Sequence, residues 1–254
     1  MNNIENVQQA RDSFNHIIDN RTYANIIRDD SHLSAIMNLI EEHNYRKILD
    51  IGTGTGYLAF PLAERFQKTT VYGIDIADAI IEKNNGIVKE KGIQNLSFQV
   101  FDGLNYPFED ETFDLIVTRY AFHHFPDVVD SVRQMNRILV KGGRVLVSDP
   151  MRNDRDANGV IDDFMKVKKD GHINFYSSKE MDELFINNGF DKEKQIITSM
   201  KFPFAPKQEY IDVYNKTNDE DKLMYDLTNE DGIVWVNHID VGNNIYVKKE
   251  KELC

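Results

Sequence analysis

The segment of residues 47–57 constrains the fold more than any other part of the chain. It reads KILDIGTGTGY, in which a short apolar run leads directly into three glycines at alternate positions, Gly52, Gly54 and Gly56. Apolar residues at helical spacing follow from Leu58 onward. A strand, a glycine-rich turn and a helix in this order form the nucleotide-binding unit of doubly wound α/β folds, because glycines let a ligand approach the backbone and the helix N-terminus. The segment therefore predicts a ligand at the C-terminal end of a strand.

The details of this turn distinguish between nucleotide-binding families. A dinucleotide fingerprint has a third glycine three positions after Gly54, where this chain carries Tyr57. An acidic residue, Asp50, instead lies inside the strand, two residues before Gly52. The sequence DIGTGTG resembles motif I of the class I S-adenosylmethionine-dependent methyltransferases. A nicotinamide oxidoreductase is disfavoured by the same features, and a tight strand-to-helix connection without a ligand is the remaining alternative.

Two further predicted strands also end in carboxylates. Asp75 ends the run VYGID, 23 residues after Gly52, where an acid accepts hydrogen bonds from ribose hydroxyls in both nucleotide-binding families. The alternative role of Asp75 is an N-cap for the next helix. Asp102 and Gly103 follow the third strand, and the run from Asp102 through LNYPFEDETFDLIV closely resembles the corresponding run of methyltransferases. In that family the aspartate at this place receives the adenine amino group.

The alternation of strands and helices agrees with this resemblance. Strands are predicted near 47–51, 70–75, 96–101, 113–119, 143–149, 193–200 and 242–248, and helices near 57–66, 77–91 and 127–138. A helix stop is expected at Lys141-Gly142-Gly143-Arg144. A further helix is expected with Ser178 as its N-cap, and a helical insertion is expected to start at Pro206. The resemblance implies a doubly wound, mainly parallel α/β sheet of seven strands, with the last strand inserted antiparallel between the fifth and the sixth.

The resemblance further implies one methyltransferase domain over residues 1–254. Its expected parts are an N-terminal helical lid at 1–45, a cofactor-binding core at 46–150, and a sheet-completing region at 151–254 with cap insertions near 151–176 and 203–241. The segment Arg11–Tyr23 is similar to the lid of the ubiquinone and menaquinone C-methyltransferase subgroup. Both 1–45 and 151–176 are expected to cover the site and to become ordered when cofactor binds.

The implied cofactor is S-adenosyl-L-methionine, with S-adenosyl-L-homocysteine as its product. The residues expected to bind it lie at strand ends, in the glycine turn and in the lid: Asp50, Gly52, Thr53, Gly54, Gly56, Asp75, Ile76, Asp102, Gly103, Arg119 and Tyr23. Because the methyl group of the cofactor is already activated on a sulfonium, the enzyme chiefly aligns the reactants in a desolvated pocket. No catalytic residue is compulsory.

A general base is needed only when the methyl acceptor is a weak acid. His123 and His124, in the loop after the fourth strand, and His172 are the candidates, since histidine titrates near neutrality. The alternative for each is a structural role. Asp149, at the end of the fifth strand, is expected to stand alone, either as a turn or cap residue or as a substrate contact.

Composition limits the partners. The net charge of −12 disfavours nucleic acid, and the single cysteine, Cys254, argues against disulfides and thiolate metal clusters. No cluster has metal-ligand spacing, and no apolar run approaches membrane-spanning length, so a cytoplasmic protein without a metal or membrane partner is expected. The expected function is methyl transfer to a small-molecule acceptor. A non-catalytic cofactor-binding protein and a nicotinamide oxidoreductase are the alternatives, and the oligomeric state stays open, with a homodimer as one option.

Overall fold

The structure, a computed structural model, describes residues 3–17, 30–40 and 43–250. Its strands are β1 (Lys47–Ile51), β2 (Thr70–Asp75), β3 (Leu96–Val100), β4 (Phe113–Arg119), β5 (Leu139–Pro150), β6 (Phe190–Pro203), β7 (Leu227–Glu230) and β8 (Ile233–Lys248). Its α-helices are α1 (Asn3–Ile17), α2 (Asp30–Leu39), α3 (Ala59–Arg65), α4 (Asp78–Lys91), α5 (Val128–Ile138), α6 (Val160–Lys166), α7 (Ser178–Asn187), α8 (Gln208–Lys216) and α9 (Asp219–Met224). Among the residues described, no helix combines the length and the apolar character needed to cross a membrane.

The strands form one twisted sheet in the order β3-β2-β1-β4-β5-β8-β6. β1 to β5 run parallel to one another, while β8 runs antiparallel between β5 and β6. The predicted doubly wound sheet with its last strand inserted antiparallel is thereby confirmed. An eighth strand, β7, pairs with β8 outside this path and was not predicted. Strand order reverses between β1 and β4, which is where doubly wound sheets open a crevice for ligands.

The central strand β1 is buried on both faces of the sheet. Leu49 and Ile51 belong to the apolar cluster on one face, and Ile48 belongs to the cluster on the other face. Successive side chains of a strand point to opposite faces, so this apolar run can be buried only between two layers of helices. Each such side chain contributes about 1.5–3 kcal/mol through burial. The sheet therefore holds the turn after Ile51 on a rigid support.

The connection from α5 to β5 differs from its prediction. The helix ends at Ile138 and the strand begins at once, so the expected stop at residues 141–144 was placed too late. Leu139 pairs with Phe113, the first residue of β4, and the register then shifts before Arg144 pairs with Leu115. Gly142, with a φ of 68°, lies in this irregular part of the strand. Gly142 and Gly143 thus form a bulge inside the strand and do not end the helix.

The N-terminus of α7 was predicted one residue too late. The N-cap is Ser177, whose hydroxyl accepts a hydrogen bond from the Glu180 backbone N–H, while the Glu180 carboxylate accepts one from the Ser177 N–H. Ser178 is the first helical residue. This reciprocal capping box satisfies two donors that the first helical turn leaves without intrahelical partners.

A third apolar cluster lies beside the main sheet. It joins Phe164 of α6 and Tyr210 of α8 to Val234 and Val236 of β8. The chain between β6 and β8 therefore contains the predicted helical insertion, as α8 and α9, together with the unpredicted hairpin of β7 and β8. This cap region has its own small core next to the carboxyl ends of the strands.

Candidate active site

The glycine turn after β1 lies close to β2 and to the residues that follow β4. Gly52 and Thr53 both donate backbone N–H hydrogen bonds to the Ile74 carbonyl of β2, at 2.9 and 3.0 Å. Gly52 has a φ of 67°, in the left-handed region that favours glycine. A Cβ atom at this position would lie 2.4 Å from the Cβ of Ala121, after β4. The turn therefore needs glycine both for its conformation and for close approach.

Two buried carboxylates flank this turn. Asp50 accepts a 2.7 Å hydrogen bond from the Thr53 hydroxyl, and burial raises the pKa of Asp50 to about 7. Asp75 accepts hydrogen bonds from the Gly54 N–H at 2.8 Å and the Ala77 N–H at 2.9 Å, and burial raises its pKa. A carboxylate offers about four lone-pair sites, so Asp75 can also accept bonds from ligand hydroxyls. The N-cap of α4 is Ala77, with no side-chain cap hydrogen bond, so the alternative role of Asp75 as an N-cap was wrong. The contact of Asp75 with a ligand stays a prediction that this geometry allows.

A pocket of about 1010 Å³, counting the open solvent at its mouth, lies against the turn. Eight of the predicted cofactor residues line it: Asp50, Gly52, Thr53, Gly54, Asp75, Ile76, Gly103 and Arg119. Side chains from α1, which the sequence placed in the lid, complete one wall: Val7, Ala10 and Phe14. The pocket is thus built by β1, β2, β4 and the N-terminal helix together.

Other predicted residues lie elsewhere. Gly56 packs beside the Phe60 ring and does not line the pocket. Asp102 is exposed, and its Oδ1 accepts backbone hydrogen bonds from Leu104 at 2.8 Å and Asn105 at 2.6 Å. Its predicted contact with adenine stays a prediction. The predicted cofactor residue Tyr23 lies outside the described residues.

Arg119 is the only lysine or arginine among the described residues that line the pocket. Its guanidinium carbon lies 3.8 Å from the ring centre of Tyr57 and 3.9 Å from that of Tyr120. Such cation–π contacts are worth about 0.5–2 kcal/mol each. Arg119 also contacts His32 of α2, which sequence reasoning missed, since 87 residues separate the two.

Three histidines, of which His123 is buried and His124 and His172 are half-buried, form a cluster next to the pocket. His123 Nδ1 lies 2.8 Å from Asp149 Oδ2, and His172 Nε2 lies 2.7 Å from Asp162 Oδ1. The ring centre of His123 lies 4.2 Å from that of His124 and 5.3 Å from that of His172. Burial lowers the pKa of His123 well below its usual value and raises that of Asp149 to about 8, so it disfavours the charged form of both groups. The expectation that Asp149 stands alone was wrong.

His124 is the member of this cluster that reaches the pocket. It lines the wall beside Phe125, and its ring meets the Phe14 ring edge-on at 5.2 Å between centres. Its Nδ1 atom is buried and has no hydrogen-bond partner among the described residues. Burial lowers the pKa of His124 to about 3. The pocket wall therefore contains a neutral imidazole, one nitrogen of which is buried without a hydrogen-bond partner among the described residues.

Comparisons with known proteins identify the family of the chain. A family model described as a methyltransferase domain matches residues 42–198. An uncharacterized methyltransferase of Bacillus subtilis, YcgJ, is 32% identical over 146 residues, 56% of this chain and 56% of that protein. The crystal structure of YcgJ shares the fold, with a TM-score of 0.77 and 23% identity over 87% of this chain and 100% of that chain.

Two relatives with named acceptors match shorter parts of the chain. Aklanonic acid methyltransferase DauC from a Streptomyces species is 33% identical over 46% of this chain and 53% of that protein. A demethylmenaquinone methyltransferase from Thermotoga maritima is 32% identical over 44% of this chain and 47% of that protein. The chain spans about half the length of these relatives. Because the family model covers more than half of its residues, the chain belongs to the class I S-adenosylmethionine-dependent methyltransferases, whose cofactor is S-adenosylmethionine.

Proposed function

We propose that this protein transfers the methyl group of S-adenosylmethionine to a small-molecule acceptor, by in-line displacement in a pocket from which water is excluded. The observation that carries the proposal is the convergence of the Gly52–Gly54 backbone, the Asp75 carboxylate and the Arg119 guanidinium on one pocket at the strand-order reversal. The cofactor supplies a methyl group already activated on its sulfonium. The chain has to bind, orient and desolvate the reactants, which accounts for up to about 7–11 kcal/mol in favourable systems.

The residues of the pocket suit the proposed cofactor. A Cβ atom added at Gly54 would meet no heavy atom of the described residues within 4 Å, so the open space lies directly against the backbone there. Asp75 has lone pairs for ribose hydroxyls, and Arg119 offers N–H donors to a carboxylate. Gly103 and Ile76 line the part of the pocket nearest to β2 and β3, where the adenine is expected.

We assign the acceptor to the wall that includes His124, Phe125 and Pro126. Because its lowered pKa makes His124 a weak base, we propose that its imidazole orients the hydroxyl, amine or acidic carbon that becomes methylated and does not take up its proton. His123 and His172 are paired with aspartates behind this wall and serve to hold the ring of His124. Small-molecule acceptors are also the ones that the names of DauC and the Thermotoga maritima relative give.

The acidic balance of the chain supports the same acceptor class. A net charge of −12 repels a phosphate backbone, so we propose no nucleic-acid substrate. A cytoplasmic location and a homodimer stay predictions.

The decisive experiment is turnover of methyl-labelled S-adenosylmethionine against a library of metabolites, together with calorimetry of S-adenosylhomocysteine binding. We expect micromolar binding and label transfer to at least one metabolite. Binding without transfer to any metabolite would favour the non-catalytic cofactor-binding protein. Binding of NADH in place of S-adenosylhomocysteine would favour the oxidoreductase and contradict the proposal.

The role of His124 is tested with the acceptor so identified. His124→Asn keeps an acceptor oxygen near the place of Nδ1 but cannot take up a proton. We expect kcat to stay within about tenfold of the wild type, because His124 orients the acceptor and takes up no proton, and the Kd for S-adenosylhomocysteine to change less than threefold. A fall of kcat by roughly 10²–10⁴, the usual contribution of a general base, would contradict this and show that His124 takes up a proton.

A further inference from the structure

His32, on α2, is a buried residue that connects the N-terminal segment to the pocket wall. Its Nδ1 atom lies 3.3 Å from both Nε and Nη2 of Arg119 and 3.2 Å from the Tyr120 hydroxyl. On the other edge of the ring, Nε2 lies 3.1 Å from Asn243 Oδ1 and 3.3 Å from Ser148 Oγ. Since the residue is only 4% exposed, its hydrogen-bond partners in the protein, and not solvent, decide where its ring carries a proton.

The amide of Asn243, on β8, has a fixed orientation. Its Nδ2 faces the backbone carbonyls of Ile196 at 3.4 Å and Val241 at 3.2 Å, and the Thr198 hydroxyl at 3.1 Å. Carbonyls can only accept hydrogen bonds, so the NH₂ group must point toward them and the amide oxygen must point toward His32. His32 Nε2 therefore carries the proton and donates a hydrogen bond to Asn243 Oδ1. Its Nδ1 is left with a lone pair directed at Arg119.

This tautomer fits what Arg119 requires. A guanidinium has five N–H donors and no acceptor, so an atom facing it at hydrogen-bond distance has to accept. The Nδ1 lone pair of His32 meets that requirement, and the rings of Tyr57 and Tyr120 stack on the guanidinium within 4 Å. Together these contacts fix both the plane of the Arg119 group and its rotation within that plane.

The backbone at Tyr120 supports the view that this arrangement is built for positioning. Tyr120 has a φ of 52°, which an aromatic residue rarely adopts, and its N–H donates a 2.9 Å hydrogen bond to the Ser148 carbonyl. Unfavourable conformations of this kind persist where the surroundings determine them, and they cluster at functional sites. Here the conformation brings the Tyr120 hydroxyl to His32 and its ring to Arg119.

We propose that His32 is a positioning residue for the cofactor site. Supported by Asn243, it holds Arg119 in the orientation that receives the carboxylate of the cofactor's methionine part, the one anionic group of S-adenosylmethionine. The proposal rests on the proposed function, because it needs S-adenosylmethionine in this pocket. It predicts that His32 affects ligands that carry this carboxylate and has no effect on those that lack it.

Two polar substitutions of His32 distinguish the contribution of its Nδ1 atom from that of its Nε2 atom. In His32→Asn, the amide oxygen takes approximately the place of Nδ1 and can still accept from Arg119. In His32→Gln, the amide lies near the place of Nε2, and a methylene group faces Arg119. The full-length chain of each variant is titrated with S-adenosylhomocysteine and with 5′-methylthioadenosine, which has the nucleoside and the sulfur but no carboxylate. Thermal unfolding of each variant shows that it is folded.

We expect His32→Gln to bind S-adenosylhomocysteine tenfold or more weakly and 5′-methylthioadenosine within twofold of the wild type. His32→Asn should stay within threefold of the wild type for both ligands. Adding His32→Gln to Arg119→Met should cause no further loss, because the two residues act through one contact. Equal losses for both ligands, equal effects of Asn and Gln, or additive losses with Arg119→Met would overturn the proposal. A wild type that binds neither ligand would refute the proposed function itself.

Discussion

Gly52 and Gly54 are two residues apart and share a left-handed backbone, with φ of 67° and 49°, but they face different surroundings. A Cβ atom at Gly52 would collide with Ala121, whereas one at Gly54 would enter the open pocket. Gly92, after α4, has a φ of 64° and open space around it, far from the site. Alanine substitutions at these three positions therefore have different effects. Gly92 tests the left-handed backbone alone, Gly52 adds a steric collision, and Gly54 adds the loss of space for a ligand.

We expect Gly54→Ala and Gly92→Ala each to lower the free energy of unfolding by about 1–2 kcal/mol, the cost of the left-handed conformation for alanine. Gly52→Ala should cost a further 1–3 kcal/mol or so, because the added methyl group overpacks the contact with Ala121. Only Gly54→Ala should lose affinity for S-adenosylhomocysteine while it stays folded. Denaturant unfolding and calorimetry check this, and normal binding by Gly54→Ala would place the ligand elsewhere.

Asp75, at the C-terminal end of β2, can be compared with a carboxylate near the N-terminal end of β4. Each of Asp75 and Asp114 accepts two backbone N–H hydrogen bonds, Asp75 from Gly54 and Ala77, and Asp114 from the start of β1. Alanine at either position should therefore destabilise the fold through the loss of two hydrogen bonds, and Asp114→Ala also loses the ion pair with Arg46. Asp75→Ala should also weaken S-adenosylhomocysteine binding tenfold or more through the lost ribose contact, whereas Asp114→Ala should not. Equal Kd values for both variants in calorimetry would show that Asp75 does not contact the ribose.

Asp50 makes the stability of the fold depend on pH. Burial raises its pKa from about 3.8 to about 7, so the folded state holds a proton that the unfolded chain has released between these values. The contribution of Asp50 to stability therefore falls as pH rises from 4 to 7, by up to about 1.4 kcal/mol per pH unit. Asp50→Asn removes this titration and keeps an oxygen for the Thr53 hydroxyl. The stability of the variant relative to wild type should rise over this window, and parallel curves from chemical denaturation would contradict the assignment.

At the level of helices and strands, local patterns predicted the elements that carry the cofactor site. The bounds of β1, β2 and β4 match their predictions, because each combines a buried apolar run with a charged or glycine-containing end. The errors lie where pairing with a distant strand decides the structure. β5 starts at Leu139 because that residue pairs with Phe113, and no spacing within the segment reveals this partner.

The hairpin of β7 and β8 left a signal that the prediction overlooked. Asp231 and Gly232, with φ of 52° and 82°, form a two-residue connection between the paired residues Glu230 and Ile233. An Asp-Gly pair between strands is the preferred sequence for such a turn. The polar character of β7 and the acidic helices before it favoured a wholly helical insertion.

The same distinction applies to the site. The glycines and aspartates of the turn are identified by short-range motifs, and the structure brings most of them to the pocket. His32 with Arg119 and His123 with Asp149 are pairs of residues that lie far apart along the chain, 87 and 26 positions. The sequence contains each residue type but has no local pattern that links the partners, so only the fold reveals these pairs.

Across the whole molecule, the two segments expected to cover the pocket differ in how they are held. The helix α6 buries Ile161 and Phe164 completely in the apolar cluster beside the sheet. In α1, Ala10 is the buried residue among those whose side chains the structure describes, where it meets Gly171 of the loop after α6. α1 is further joined to the core by a 3.0 Å hydrogen bond from Arg11 Nε to the Ile76 carbonyl. The N-terminal helix thus has much less apolar burial to stabilise its position.

This difference leads to a prediction about ligand-dependent protection. Since Val7, Ala10 and Phe14 line the pocket, a bound cofactor would add contacts to α1 and reduce its local opening. We expect S-adenosylhomocysteine to slow amide hydrogen exchange in α1 by tenfold or more, to change α6 less, and to leave the central strand β1 as an unchanged internal reference. Exclusion of water from the reacting sulfonium is the functional consequence of such closure. Equal exchange of α1 with and without ligand, measured by mass spectrometry on a sample that calorimetry shows to be saturated, would mean that the helix is permanently docked and does not gate the site.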